Sequence, residues 1–320
     1  MKASVIIPTK NPGDVFKEVL PQVLDQQTDW EFEVLVIDSG STDGTVEYCK
    51  SFTNITLHEI KPEEFGHGKT RNLGISMTSG EFVIMLTHDA KPYDTKWLQH
   101  LVDSMTDDPK VAGSFGRHEP YADATPFISR DLKLHFDGFK NHASIVSLDD
   151  KERYENDEQY RQFLHFFSDN NSCIRRSVWE QIPYPDVDFA EDQIWAKTII
   201  EAGYKKAYAD NAVVYHSHTF GPWENFRRSF DESYAFLRLF GYKLGPSILN
   251  ILIGSYRQSY HDAKYMRRTS GFKLRSFYWT ARAVFDNFAK HLGNYMGQRA
   301  LSFPSWFINR ISRDRSLKNG

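Results

Sequence analysis

The chain is poor in cysteine. Its 320 residues contain two, Cys49 and Cys173, which excludes a disulfide framework and a cysteine-built zinc site. It also lacks a long apolar run. A membrane span needs roughly 18–20 apolar residues, and the best stretch, Ser247–Gly254, is far shorter. The opening MKASVIIPTKN reaches Pro8 after a brief apolar run, too short for the core of a secretory signal. No G-x-G-x-x-G spacing and no Walker phosphate loop occurs, so the two commonest nucleotide fingerprints are missing. Nor is there an internal repeat or a low-complexity linker. These absences point to a reducing, cytoplasmic setting with no visible export signal or anchor.

What is present is ordinary globular chemistry. Hydrophobic residues make up 40% and charged residues 25%, which excludes intrinsic disorder. The 24 Phe and 16 Tyr supply ample apolar area for a sizeable core. The length suits one large domain or two packed ones. The net charge of −3 hides an asymmetry. Residues 263–320 hold 12 basic groups against 2 acidic ones, Asp286 and Asp314, while the rest of the chain is acidic. Opposite balances at the two ends suggest two tasks.

The first half alternates strand and helix patterns. Strands are expected at Ala3–Ile7, Phe32–Ile37, Ile55–Ile60 and Phe82–Leu86, with helices at Asp14–Gln27, Thr45–Phe52 and Lys69–Met77. That order implies an α/β fold with a mostly parallel central sheet and helices on both faces. Ligands in such sheets sit at the carboxyl ends of the strands, where Thr9, Asn11, Asp38 and Asp89 fall. The middle is less regular, and 117–140 has no clean period. A strand is expected at Ser172–Arg175, a helix after Ala190-Glu191-Asp192, and two strands at Lys205–Ala209 and Val213–His216. Beyond Trp223 the pattern is helical, with breaks at 241–246, 269–271 and 302–304.

Each polar cluster admits two readings. Asp38 and Asp43, in Asp38-Ser39-Gly40-Ser41-Thr42-Asp43-Gly44, either cap turns or meet a ligand; capping suits Asp43 better. At His67-Gly68-Lys69-Thr70-Arg71-Asn72 a loop enters a helix, either as a solvated first turn or as a diphosphate site. Asp89 is a turn acid or a hard-cation ligand. Glu191-Asp192 is favourable helix-dipole chemistry or a general base. His216 and His218 are expected on opposite faces of an extended chain, so that only one enters a shared site.

In combination these segments resemble the family 2 glycosyltransferases, inverting nucleotide-sugar enzymes with the GT-A fold. The resemblance covers about residues 3–220 and runs through Ser4–Thr9, Val36–Thr45, Arg71–Gly74, Leu86–Ala90, Phe189–Asp192 and Val214–His218. Within the family the chain is similar to bacterial rhamnosyltransferases that use dTDP-L-rhamnose. Phe65-Gly66-His67-Gly68, the Leu-Thr-x-Asp-Ala form at 86–90 and Glu191-Asp192-Gln193-Ile194-Trp195 carry that likeness. It implies a glycosyltransferase domain at 1–220 and a basic helical region at 221–320.

The resemblance also implies roles. Pro8, Thr9, Asn11 and Asp38 would line the nucleoside pocket. Arg71, Asn72 and His88 would face the diphosphate and donor sugar. Asp89, with His218 or else His216, would hold Mg²⁺ or Mn²⁺, and Asp192 would be the base with Glu191 beside it. Thr87 stands where many relatives carry an acid, which leaves metal dependence open. The acceptor would be a surface polysaccharide or lipid-linked glycan. The tail at 263–320 would meet an anionic membrane surface at the inner face of the cytoplasmic membrane; an RNA-binding tail or a helical homo-oligomer interface are the other readings. A UDP-hexose or UDP-N-acetylhexosamine donor is the second enzymatic reading. A non-catalytic nucleotide- or RNA-binding protein is the third, and the motif set favours no nucleic acid.

Overall fold

A computed structural model describes residues 1–187, 189–245, 247–271 and 273–313. The chain forms two compact units. The first comprises 1–123 and 129–217, the second 124–128 and 218–320.

The first unit is built on a nine-stranded sheet. Its strands are β1 (Ala3–Thr9), β2 (Phe32–Asp38), β3 (Thr56–Glu59), β4 (Phe82–Leu86), β5 (Lys91–Pro92), β6 (Val111–Glu119), β7 (Ile145–Val146), β8 (Asn171–Arg175) and β9 (Lys205–Tyr215). The order is β3-β2-β1-β4-β8-β6-β9-β5, with β7 on β9. β1, β2, β3 and β4 pair in parallel, as do β6 and β9. β8 runs against both β4 and β6 and so joins the two parallel groups. Six strands therefore share one direction, which is the mostly parallel α/β sheet that the pattern implies.

Helices cover both faces. They are α1 (Phe16–Leu24), α2 (Thr45–Lys50), α3 (His67–Ser76), α4 (Trp97–Thr106), α5 (Pro126–Lys140), α6 (Lys151–Asn156), α7 (Glu158–His165), α8 (Arg176–Trp179) and α9 (Glu191–Glu201). One core packs Phe16, Val19 and Val23 of α1 and Leu98, Leu101 and Met105 of α4 against one face. The other packs Phe136 and Phe139 of α5, Leu164 of α7 and Trp195 and Ile199 of α9 against the opposite face. β1 and β4 read as unbroken apolar runs because both faces are covered. Pro8 fits inside β1 because the ladder to β4 stops at Ile6, so no partner needs its missing N–H.

α4 and β6 have no counterpart in the expectations. Nearly all of β6 is buried although it reads Val-Ala-Gly-Ser-Phe-Gly-Arg-His-Glu. Its glycines answer tertiary crowding: a Cβ on Gly116 would lie 2.1 Å from the Ala212 carbonyl oxygen. The two strands expected after residue 204 are one strand. Its pairing with β6 shifts register between Gly116 and Arg117, opposite the step from Ala209 to Val213, and that bulge looks like a break in the sequence.

The second unit is helical: α10 (Pro222–Phe240), α11 (Ile248–Ser270), α12 (Leu274–Gly297) and α13 (Ser305–Ile311). The breaks between them fall where the sequence places them. Phe226 and Phe230 of α10 join Ala300, Ile308 and Ile311 in its core. Gly293 and Gly297 allow α12 to touch α10 backbone to backbone; a Cβ on either would lie 2.4 Å from the carbonyl oxygen of Phe226 or Phe230. Phe272, Asp314 and Lys318 of the basic tail lie outside the described residues.

Candidate active site

The site residues gather at the carboxyl ends of β1, β2 and β4 and around the start of α9. At the first two strands the polar groups hold one another. Thr9 donates to Asp38 Oδ2 at 3.1 Å. Asp38 Oδ1 accepts from the Gly40 and Ser41 N–H groups at 3.0 and 2.8 Å, and the Ser41 hydroxyl donates to Oδ2 at 2.5 Å. The Asp38 side chain is therefore buried and its oxygens build the turn. Asn11, with φ +44°, accepts from Thr42 N–H at 2.7 Å and ties the β1 exit to the same turn. Asp43 accepts from Gly13 and Thr45, the capping role that the sequence favours. Pro8 is half-buried beside them.

Arg71 is likewise held by its neighbours. It sits on α3, but its guanidinium turns inward and is about 6% exposed. It donates to Glu191 on α9 and lies 3.1 Å from Asp169 Oδ2. Asn72 also turns inward, accepting from Trp179 Nε1 at 2.7 Å and from Tyr184 N–H at 3.1 Å, and donating to the Tyr184 carbonyl at 2.9 Å. One side chain neutralises buried acids, and the other latches α3 to α8 and the segment after it. The exposed groups at the start of α3 are His67 and Lys69.

Asp169 has no signal in the sequence reading beyond its place in the polar run Ser168-Asp169-Asn170-Asn171 before β8. It accepts from Ser172 Oγ at 2.7 Å and Tyr184 hydroxyl at 2.9 Å. Its backbone N–H donates to Asp192 Oδ2 at 3.2 Å, and Asp192 Oδ1 accepts from Gln193 N–H at 2.8 Å. Two acids thus share one guanidinium, and the third, Asp192, is held on backbone N–H groups beside them. Burial, then Glu191 and Asp169, hold the Asp192 carboxyl well above the usual carboxylate range, and Arg71 offsets this only in part. Burial likewise raises Asp169. Ala190, just before the pair, has φ +56°, a conformation that costs a non-glycine residue about 1–2 kcal/mol. That turn swings Glu191 inward to Arg71.

The β4 exit lies next to this cluster. Thr87 N–H reaches the Asn170 carbonyl at 3.4 Å, one residue from Asp169. His88 is half-buried there. Asp89 Oδ1 lies 3.6 Å from His216 Nε2. Asp89, His216 and His218 each offer a ligand atom, all within 4.8 Å of one another. The expectation that only one histidine could enter is wrong: residues i and i+2 of an extended chain share a face. One carboxylate and two imidazoles suit a divalent ion, and the imidazoles favour Mn²⁺ over the oxygen-demanding Mg²⁺. The buried Thr87 hydroxyl, without a hydrogen-bond partner among the described residues, is a further polar atom at this strand end.

Residues 4–182 match glycosyl transferase family 2. Over its whole length the chain is 34% identical to the O-antigen chain rhamnosyltransferase RfbN of Salmonella typhimurium, covering 96% of that protein. It is 31% identical to the O-antigen chain rhamnosyltransferase WbaN of Salmonella anatum, over 99% of this chain and 95% of that one. Among solved structures it resembles the mannosyltransferase PcManGT of Pyrobaculum calidifontis in complex with GDP-Man and Mn²⁺, with TM-score 0.59 at 17% identity, over 93% of this chain and 88% of that one. S. aureus TarS gives TM-score 0.53 at 17% identity, over 92% and 91%. These folds carry the GT-A sheet with its helices. The family match spans β1, the β2 turn, α3, β4 and β8, and the chain belongs to glycosyl transferase family 2: it is a glycosyltransferase.

Proposed function

We propose that this protein is an inverting rhamnosyltransferase that moves L-rhamnose from dTDP-β-L-rhamnose to a hydroxyl of a growing surface polysaccharide or lipid-linked glycan. The full-length likeness to two O-antigen rhamnosyltransferases supports the sugar and the acceptor class. The observation that carries the chemistry is the placement of Asp192, which accepts from Asp169 N–H at 3.2 Å beside the β4 exit, where burial and the neighbouring acids push its carboxyl up. A carboxylate with a raised pKa is a better proton acceptor near neutral pH than an ordinary one.

In this reading the acceptor hydroxyl attacks the anomeric carbon as the bond to the diphosphate breaks, and Asp192 takes its proton. General-base help of this kind is worth about 10²–10⁴-fold. A single displacement inverts the centre, so a β-linked donor gives an α-linked product. Arg71 fixes Glu191 and Asp169 and thereby the seat of Asp192. The first turn of α3, with Lys69 exposed, is an anion-favouring helix terminus for the diphosphate. Asp89, His216 and His218 would hold a divalent ion, which when bound supplies charge neutralisation at the leaving diphosphate. The basic tail would bring the enzyme to an anionic membrane surface at the cytoplasmic face, where a lipid-linked acceptor lies.

A donor screen tests the reading. Release of nucleotide diphosphate is measured with dTDP-L-rhamnose, UDP-hexoses and UDP-N-acetylhexosamines, with and without a lipid-linked glycan. Turnover is expected with dTDP-L-rhamnose; turnover with a UDP-sugar alone would overturn the donor assignment. Asp192→Asn should abolish transfer while donor binding persists, because the loss lies in the transition state.

A further inference from the structure

Two helices of the second unit expose large apolar side chains. On α11 these are Leu249, Leu252, Ile253, Tyr256 and Tyr260, with Tyr256 73% exposed. They recur at three- and four-residue steps and form one stripe about 16 Å long. The buried residues of α11, Ile251, Asp262 and Met266, lie on another side, where Asp262 accepts from Asn287 of α12 at 2.7 Å. On α12, Leu274, Phe277, Tyr278, Phe285 and Phe288 form a second stripe, about 21 Å long, with Leu274 87% and Phe277 74% exposed. Isolated exposed leucines need no explanation, but contiguous stripes mark an interaction surface.

The charge around the stripes has one sign. Arg257, Lys264, Arg267, Arg268, Lys273 and Arg275 are exposed on or beside these helices. Their two acids are withdrawn: Asp262 is buried, and Asp286 is paired with Arg282 at 3.0 Å. An occupant must therefore be apolar within and negative at its surface. A second copy of this chain would answer basic groups with basic groups, because a two-fold interface sets the same patch against itself. A polyanion such as RNA would leave the aliphatic stripes unused. Tyrosines among Leu, Ile and Phe, with Arg and Lys beside them, suit the boundary between lipid headgroups and acyl chains. Among the described residues no helix is long and apolar enough to cross a membrane.

We propose that α11 and α12 form a docking surface for an anionic lipid bilayer, lying in its interfacial plane. The surface begins at Ile248, ahead of the basic stretch that the sequence singles out. The proposal deepens the membrane reading above and rests on it for its purpose; the exposed stripes and the one-signed charge are independent of the donor sugar.

The test sediments the full chain with vesicles of mixed phosphatidylglycerol and phosphatidylcholine, and with phosphatidylcholine alone. Binding to the anionic vesicles should be at least about tenfold tighter and should weaken with salt. The triple variant Leu252→Asp, Phe277→Asp, Phe285→Asp should lose about tenfold or more, and so should Arg267→Glu, Arg268→Glu, Arg275→Glu. All six positions are exposed, so both variants should melt like the parent and bind dTDP unchanged. Failure of the parent to bind anionic vesicles, equal binding to both vesicle types, or unaltered binding by the apolar variant would each overturn the proposal. Self-association of the parent that the apolar variant abolishes, without vesicle binding by either, would assign the face to a second copy. A different donor specificity would leave the vesicle result standing, so the two readings fail separately.

Discussion

Replacing Arg71 by Met should destabilise the first unit, and the loss should depend on pH. The guanidinium lies 3.1 Å from Asp169 Oδ2 and donates to Glu191, with all three side chains nearly buried. At an effective dielectric of about 20, one such contact is worth about 5 kcal/mol before desolvation is counted. Arg71→Met removes the positive partner but leaves the buried acids, a change that costs about 3–5 kcal/mol. For a unit of roughly 200 residues that corresponds to a melting point about 6–20 °C lower. The sign of the pH effect follows from linkage. Without Arg71 the carboxyls of Asp169 and Asp192, already raised by burial, rise further above their unfolded values, so the folded chain binds more protons than the unfolded one. Stability then falls as pH rises, and the deficit is largest above neutrality and shrinks toward about pH 5. Thermal melts of parent and variant, followed by circular dichroism between pH 5 and 8, read both effects. Arg71→Lys keeps the charge without the fork and should lose less, with the same pH trend; it serves as the readout if the Met variant fails to fold. An equal melting-point loss at pH 5 and pH 8 in both variants would refute the electrostatic argument and leave Arg71 as a packing group.

Two further outcomes are expected. Because Asp192 must be unprotonated to accept a proton and its carboxyl is held high, the acid limb of kcat/KM should lie well above the ordinary carboxylate range. Glu191→Gln removes a like charge and frees Arg71 to act on Asp192, so the limb should move to lower pH; movement to higher pH would show that another group titrates. Asp89→Ala should weaken dTDP binding by about tenfold or more in the presence of Mn²⁺ and little in EDTA, with Mn²⁺ supporting the parent better than Mg²⁺. Equal losses with and without metal, measured by calorimetry, would remove Asp89 from the ion site.

The elements that were legible are those whose local pattern and tertiary environment agree. β1, β2 and β4 are apolar runs covered on both faces, and α10 and α11 end at Gly241 and Gly271, both at positive φ. β6 was illegible because its demands are tertiary: Gly113 and Gly116 make room for Trp195 and the Ala212 carbonyl, groups far along the chain. A glycine that serves close approach looks, in the sequence, like one that serves a turn. The bulge in β9 hid in the same way, because the interruption that bends one strand resembles the end of two.

The site divides along a similar line. Residue type at a strand end identified a set of polar groups, of which Asp89, His216 and His218 form one cluster and Glu191 joins Arg71 in another. What the sequence could not assign is which polar group is already occupied. Asp38 and Asp89 are both strand-end acids, yet the hydroxyls and N–H groups of Thr9, Gly40 and Ser41 fill the first, while the second lies against two imidazoles. Arg71 is a cation at a helix start and for that reason invites a diphosphate. Its partners are Glu191, which belongs to a motif, and Asp169, which is about a hundred residues further along the chain and carries none. Once Asp169 and Glu191 are buried together, with Asp192 half-buried beside them, a fixed guanidinium follows from electrostatics, because buried carboxylates without a counter-charge are costly. The acids therefore determine what Arg71 does. A cation committed to two buried acids is already satisfied where it stands, so on the reading proposed above the charge of the leaving diphosphate would fall to the α3 terminus and to the Asp89–His216–His218 cluster.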